Sequence, residues 1–113
     1  ELVKVVVDAM GGDHAPQSTV KGTVDALNKS QEISVFLVGQ EDVINKELEQ
    51  YTYPKERLTV VPASEVIEMA EPPVMAIRKK KDSSIVVGMK MVHNGEADAF
   101  VSAGNSGAVD GFL

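Results

Sequence analysis

Apolar positions along the chain switch between two periods. Leu2 to Val7 is a short run rich in β-branched residues, the pattern of a strand buried on both faces. From Gln17 to Lys29, behind Pro16, the residues Val20, Val24 and Leu27 recur at helical spacing, and the pattern closes near Asn28. Ile33 to Val38 is a second apolar run, stopped by Gly39. Glu41 to Tyr51 then puts Val43, Ile44 and Leu48 on one helical face, with acids in the first turn. Leu58 to Val61 predicts a third strand, and Ala99-Phe100-Val101, led by Ala97, a fourth. Between these two, Pro72 to Lys80 and Ser83 to His93 read as helices. The second presents Ile85, Met89 and Val92 on one face behind a cap at Asp82 or Ser83.

Strands that alternate with helices across short loops predict a parallel sheet covered on both faces, an α/β/α sandwich. No repeat, low-complexity tract or Pro/Gly/Ser-rich linker interrupts the order, so residues 1–113 read as a single α/β domain. Composition narrows the functional classes. Seventeen acids against 11 bases give a net charge of −6, which disfavours nucleic acid as a partner. The absence of cysteine removes disulfides, thiolate metal sites and a cysteinyl acyl-enzyme, and it fits a cytoplasmic protein. No run approaches the roughly 18 apolar residues of a membrane-spanning helix, and the first residues lack the pattern of a secretory signal.

In open α/β sheets, ligands collect outside the carboxyl ends of the strands, which directs attention to four loops. Gly39-Gln40 and Pro62-Ala63-Ser64 carry little chemistry. The loop after the fourth strand, Ser102-Ala103-Gly104-Asn105-Ser106-Gly107-Ala108, carries more. Gly104 and Gly107 admit close approach of the backbone to a ligand, and Asn105 or Ser106 is placed to cap a following helix whose amides would face an anion. An anion cradle and a plain capped turn both fit this spacing. In the loop after the first strand, Gly11 and Gly12 allow the same approach. Asp8 and Asp13 suit fixing local amides better than binding a cation, and no metal site is expected. His14 alone, without a partner, reads as a turn residue facing water. Neither loop holds a dinucleotide or P-loop fingerprint. The run Arg78-Lys79-Lys80-Lys81 is the one basic cluster in an acidic chain. It reads either as a solvated helix end or as a docking patch for an acidic partner or an anionic membrane surface.

Three stretches, "VDAMGGDHAP" at 7–16, "EPPVMAIRKKKDSS" at 71–84 and "ADAFVSAGNSGA" at 97–108, together resemble the bacterial phosphate acyltransferases of phospholipid synthesis, the PlsX family. They occur in the family's order and span nearly the whole chain. The resemblance implies transfer of a fatty acyl group from acyl carrier protein to inorganic phosphate, without a cofactor. It also implies a fold like that of the isocitrate and isopropylmalate dehydrogenases, a homodimer, and delivery of acyl phosphate to a membrane glycerol-3-phosphate acyltransferase, with peripheral membrane association. Residue by residue, Gly11, Gly12, Asp13 and His14 match the first motif, and Ser102, Gly104, Asn105, Ser106 and Gly107 the second, so all nine become candidate phosphate or substrate contacts. Arg78, Lys79, Lys80 and Lys81 match the family's basic stretch and become candidates for docking the carrier. No residue is assigned as catalytic base or oxyanion donor.

The family's chain is much longer, and these residues correspond to its first third. Asp110-Gly111-Phe112-Leu113 resembles the start of a later family strand, so the expectation is an N-terminal fragment with residues omitted between Val109 and Asp110. Two other functions remain open on the residues: a phosphotransacetylase-like enzyme using a coenzyme A thioester, and a non-catalytic module that binds an anion or a carrier protein.

Overall fold

The computed structural model describes residues 2–66 and 72–102. Val3–Asp8 forms β1, Ile33–Gly39 β2, Leu58–Pro62 β3 and Ala99–Val101 β4. All pairings are parallel, in the order β3-β2-β1-β4, with Val5 opposite both Val35 and Ala99, and Leu37 opposite Val60. The helices are α1 (Gln17–Lys29), α2 (Glu41–Leu48), α3 (Pro73–Lys79) and α4 (Ser84–His93), with a short 3-10 turn at Lys55–Arg57. The fold is α/β, as the alternation predicts.

The strand order explains how both faces acquire helices. Chain progress from β1 to β3 runs one way across the sheet. β4 then returns to the far side of β1, and right-handed crossovers in opposite directions deposit their helices on opposite faces. One core layer accordingly joins Val20, Val24 and Leu27 of α1 and Ile44 and Leu48 of α2 to Val35 and Leu37. On the other face Val6, Val38 and Ala97 pack with Val87, Met91 and Val92 of α4, while Ala76 of α3 meets Ile85, Val86 and Met89. Burying side chains such as Leu27, Leu37, Ile44 and Ile85, each at most 1% exposed, stabilises the fold by about 1.5–3 kcal/mol apiece.

Two sequence expectations need correction. The first strand is not buried on both faces. Val5 and Val7 are half-buried, and Val3 and Val101 lie about half exposed, because α1 and α2 lean toward β2 and β3 and leave the β1–β4 margin of that face open among the described residues. The second helix ends at Leu48 rather than Tyr51. The Tyr51 amide turns back to the Leu48 carbonyl (3.1 Å), and Tyr51 and Tyr53 pack against the core instead of extending the helix.

The connection from β3 to α4 is held by polar bonds. Ser64 gives its hydroxyl (2.6 Å) and its backbone N–H (2.9 Å) to the Asp82 carboxyl, and these two bonds hold that carboxyl below the usual range. Ser83 caps α4 by accepting from the Val86 amide, so of the two caps proposed from sequence the serine serves.

Candidate functional site

Strand order reverses between β1 and β4, since the chain fills one side of β1 before crossing to the other. At such a switch point the loops leaving the two strands diverge, and a crevice opens above their carboxyl ends. Of the two loops singled out by sequence, Asp8 to Pro16 begins at the end of β1, and the other begins at Ser102, the residue after β4 and the last of that loop to be described.

Asp8 ends β1 at this switch point and is 2% exposed. Its Oδ1 accepts from the Met10 amide (3.0 Å) and from the Ser84 hydroxyl, and its Oδ2 accepts from the Ser102 hydroxyl (2.8 Å). One carboxyl therefore ties together the first loop, the start of α4 and the first residue beyond β4. The reading of Asp8 as a residue that fixes local amides holds for Met10. Its bonds to Ser84 and Ser102 are long-range contacts that no local pattern signals.

Beyond Asp8 the first motif divides by role. Ala9 is fully buried, its amide bound to the Val38 carbonyl (2.9 Å), and Met10 packs against the α1 core layer. Gly11 is buried. Gly12 has φ +93°, a conformation open to glycine and strained for other residues, which accounts for the second glycine of the pair. Thr19 clamps the loop from within α1: its hydroxyl lies 2.6 Å from the Ala9 carbonyl and 2.9 Å from that of Pro16. Ala15-Pro16 is a cis peptide, and Pro16 is the residue at which α1 begins. Asp13 and His14 are exposed, and the His14 carbonyl accepts from the Ser18 amide (3.0 Å).

Of the nine candidate substrate contacts, Gly11, Gly12, Asp13, His14 and Ser102 are described, and the Asp8–Ser102 bond joins the end of β1 to the residue that follows β4. Gly104, Asn105, Ser106 and Gly107 lie outside the described residues, as do Val109 and Asp110. Of the basic run, Arg78, Lys79 and Lys81 are exposed, whereas Lys80 is half-buried and donates to the Val66 carbonyl (2.7 Å). That bond gives Lys80 a structural task separate from its three neighbours. Among the described residues, no group of three His, Asp or Glu side chains is placed to hold a metal ion, and no helix is long and apolar enough to cross a membrane.

Ser84 and Thr19 are the residues that reading the sequence missed. Ser84 lies in the quoted "KKKDSS" stretch but is masked by the capping role of Ser83. Thr19 sits among helix positions where only the apolar stripe attracts notice.

The family described as "Fatty acid synthesis protein" matches residues 3–112. Among similar curated proteins, the phosphate acyltransferase of Alkaliphilus oremlandii is 53% identical over 107 residues, 95% of this chain and 32% of its own length. That of Halothermothrix orenii is 49% identical over 107 residues, with the same coverage. That of Syntrophomonas wolfei is 51% identical over 106 residues, 94% of this chain and 33% of its own length. The chain thus spans about a third of the length of the curated relatives it matches.

Proposed function

The chain belongs to the fatty acid synthesis protein family, and from that membership we propose that the whole protein is a phosphate acyltransferase, moving a fatty acyl group from acyl carrier protein to inorganic phosphate. The observation that carries this reading is the pairing of the family match with the switch point, where Asp8 accepts from Met10 of the first loop and from Ser102, the residue after β4. An oxygen of bound phosphate attacks the thioester carbonyl, the tetrahedral oxyanion collapses, and the carbon–sulfur bond breaks. Acyl phosphate and the carrier's thiol are the products. The protein's tasks are to hold the phosphate, align the thioester and stabilise the oxyanion. The chain has no cysteine, and this direct displacement needs no covalent enzyme intermediate.

In this reading the loop 102–108 cradles phosphate with backbone amides and Asn105, and Gly11 to His14 wall the same cleft. The protein works as a cytoplasmic homodimer with peripheral membrane contact and passes acyl phosphate to a membrane glycerol-3-phosphate acyltransferase. Its fold is of the isocitrate and isopropylmalate dehydrogenase type. The test uses the full-length protein with palmitoyl acyl carrier protein, following release of free carrier with and without inorganic phosphate. Phosphate-dependent release is expected, and Asn105→Ala should raise the KM for phosphate by about tenfold, the size of one lost charge-assisted hydrogen bond. Release from palmitoyl coenzyme A but not from the carrier protein would point instead to a phosphotransacetylase-like enzyme. Carrier binding without release would point to a docking module.

Docking of the acidic carrier falls to Arg78, Lys79 and Lys81, at the end of α3 and in the turn after it. Reversing these three charges together should raise the KM for acyl carrier protein several-fold and steepen no salt dependence, while leaving the KM for phosphate as it was. An unchanged KM for the carrier removes the assignment.

A further inference from the structure

Between α1 and the open β1–β4 margin lies an apolar groove of about 330 Å³, within the size range of small-ligand sites. We infer that this groove takes the hydrocarbon chain of the acyl substrate, and that Gly22 and Ala26 set how long a chain it accepts. The identity of the chain rests on the acyltransferase reading.

The floor of the groove is the sheet. Val5 and Val7 of β1, Val35 of β2 and Val101 of β4 share the face that carries α1, and Val101 is 54% exposed there. The wall is α1, where Gly22 and Ala26 stand one turn apart and leave a trough in place of large side chains. A Cβ at Gly22 would meet nothing within 4 Å. The hydroxyls of this wall are turned to backbone: Ser18 donates to the His14 carbonyl (3.3 Å), Thr19 to those of Ala9 and Pro16, and Thr23 to that of Thr19 (2.8 Å). Each hydroxyl has one proton, so the wall shows carbon to the groove. Asp8, already engaged by three donors, is the one charged side chain among the described residues that line it.

These properties select an uncharged, slender, apolar occupant. Ser18 to Ala26 spans roughly 12 Å at 1.5 Å per residue, which gives the groove a mean cross-section of roughly 30 Å², well under the roughly 80 Å² of a helix about 10 Å across. A further helix of the longer polypeptide is too broad to enter it, whereas a single alkyl chain lies along it. The groove is also continuous with the switch point, since Asp8 and Ser102 line its upper end and Ile33 its lower. An alkyl chain is what the proposed reaction brings to that point, and with its carbonyl there it extends down α1 past Gly22 and then Ala26.

The experiment uses full-length wild type, Gly22→Leu and Ala26→Leu. It measures calorimetric binding of straight-chain fatty acids from hexanoate to hexadecanoate below micelle formation, the KM for the matching acyl carrier substrates and for phosphate, and thermal unfolding. Wild-type affinity should rise about fourfold per methylene until the groove is full and then level off. The plateau should come at the shortest chain in Gly22→Leu and at an intermediate one in Ala26→Leu, with dodecanoate weakened at least tenfold in Gly22→Leu. The acyl-carrier KM values should follow the same order while the phosphate KM stays within about twofold, and ligand-free Gly22→Leu should unfold no earlier than wild type.

Chain-length profiles unchanged in both variants would overturn the assignment, as would equal losses at every length. A Gly22→Leu protein that unfolds early or fails to fold would show the groove already filled by another part of the polypeptide, which overturns it too. A wild type that binds the acids with the expected profile yet releases no carrier overturns the acyltransferase reading alone. One that transfers acyl groups with a profile indifferent to both substitutions overturns the groove alone, and one that neither binds nor transfers overturns both.

Discussion

Gly88→Ala is expected to destabilise the full-length protein by about 1–3 kcal/mol, the range of overpacking a filled site, although alanine is the better helix former by about 1 kcal/mol. Gly88 faces the sheet from the middle of α4. A Cβ there would lie 2.5 Å and 2.9 Å from ring atoms of Phe100 and 3.1 Å from a methyl of Val6. Neither neighbour can yield easily. Val6 is fully buried at the centre of the sheet, and the Phe100 ring packs with both core clusters of this face. The control is Gly22→Ala in α1, where a new Cβ meets nothing within 4 Å, so the same substitution should stabilise by up to about 1 kcal/mol. Denaturant unfolding of the two variants should therefore move in opposite directions. A Gly88→Ala protein as stable as wild type would show that α4 rides on the sheet less tightly than its packing implies. Because Phe100 lies on β4 two residues before Ser102, the displaced ring should also raise the KM for phosphate.

Much of the fold was legible because it is written in local periodicity. Val20, Val24 and Leu27 predict α1 with its observed bounds, and the four apolar runs predict the four strands, since spacing of 3.6 or a short β-branched run needs no distant information. Errors fall where distant packing overrides the local pattern. Tyr51 looks like a continuation of α2 until the core claims it, and Val5 and Val7 look buried on both sides until the placement of α1 leaves their margin open. At the candidate site, the two loops were found by their glycines and by their positions after strands. What joins them was not. Asp8 reads locally as the first polar residue after an apolar run, whereas its partners Ser84 and Ser102 become neighbours only through the crossover that carries β4 to the far side of β1. The basic run shows the same limit, since nothing in four consecutive cations tells that Lys80 turns inward to the Val66 carbonyl.

Arg57→Ala should cost about 2–4 kcal/mol of stability, more than its place in a polar, solvent-facing stretch of sequence suggests. The last carbonyls of a helix lack partners within it and carry the negative end of its dipole. At the end of α1 the Arg57 guanidinium supplies the missing donors. Its Nη2 donates to the Leu27 carbonyl (2.9 Å), and its Nη1 donates to the carbonyls of Ser30 (2.8 Å) and Ile33 (2.9 Å). These three acceptors span the end of α1, the turn beyond it and the first residue of β2, and the donor stands immediately before β3. One side chain thus joins three successive elements at the amino-end edge of the sheet, opposite the candidate site. Hydrogen bonds to a charged group contribute about 1.5–3 kcal/mol each when one partner is removed, and water reaching this half-buried corner recovers part of that, which sets the expected total. Arg57→Lys should recover less than half of the loss, because a single ammonium cannot reach three carbonyls that the planar fork reaches from two nitrogens. The measurement is denaturant unfolding of the full-length variants alongside the phosphate KM. Since Arg57 lies at the far end of the strands from Asp8 and Ser102, stability should fall while the KM stays constant. A KM that rose with the loss of stability would mean that the two ends of the sheet are coupled and that the site depends on the whole layer rather than on its own end of the strands.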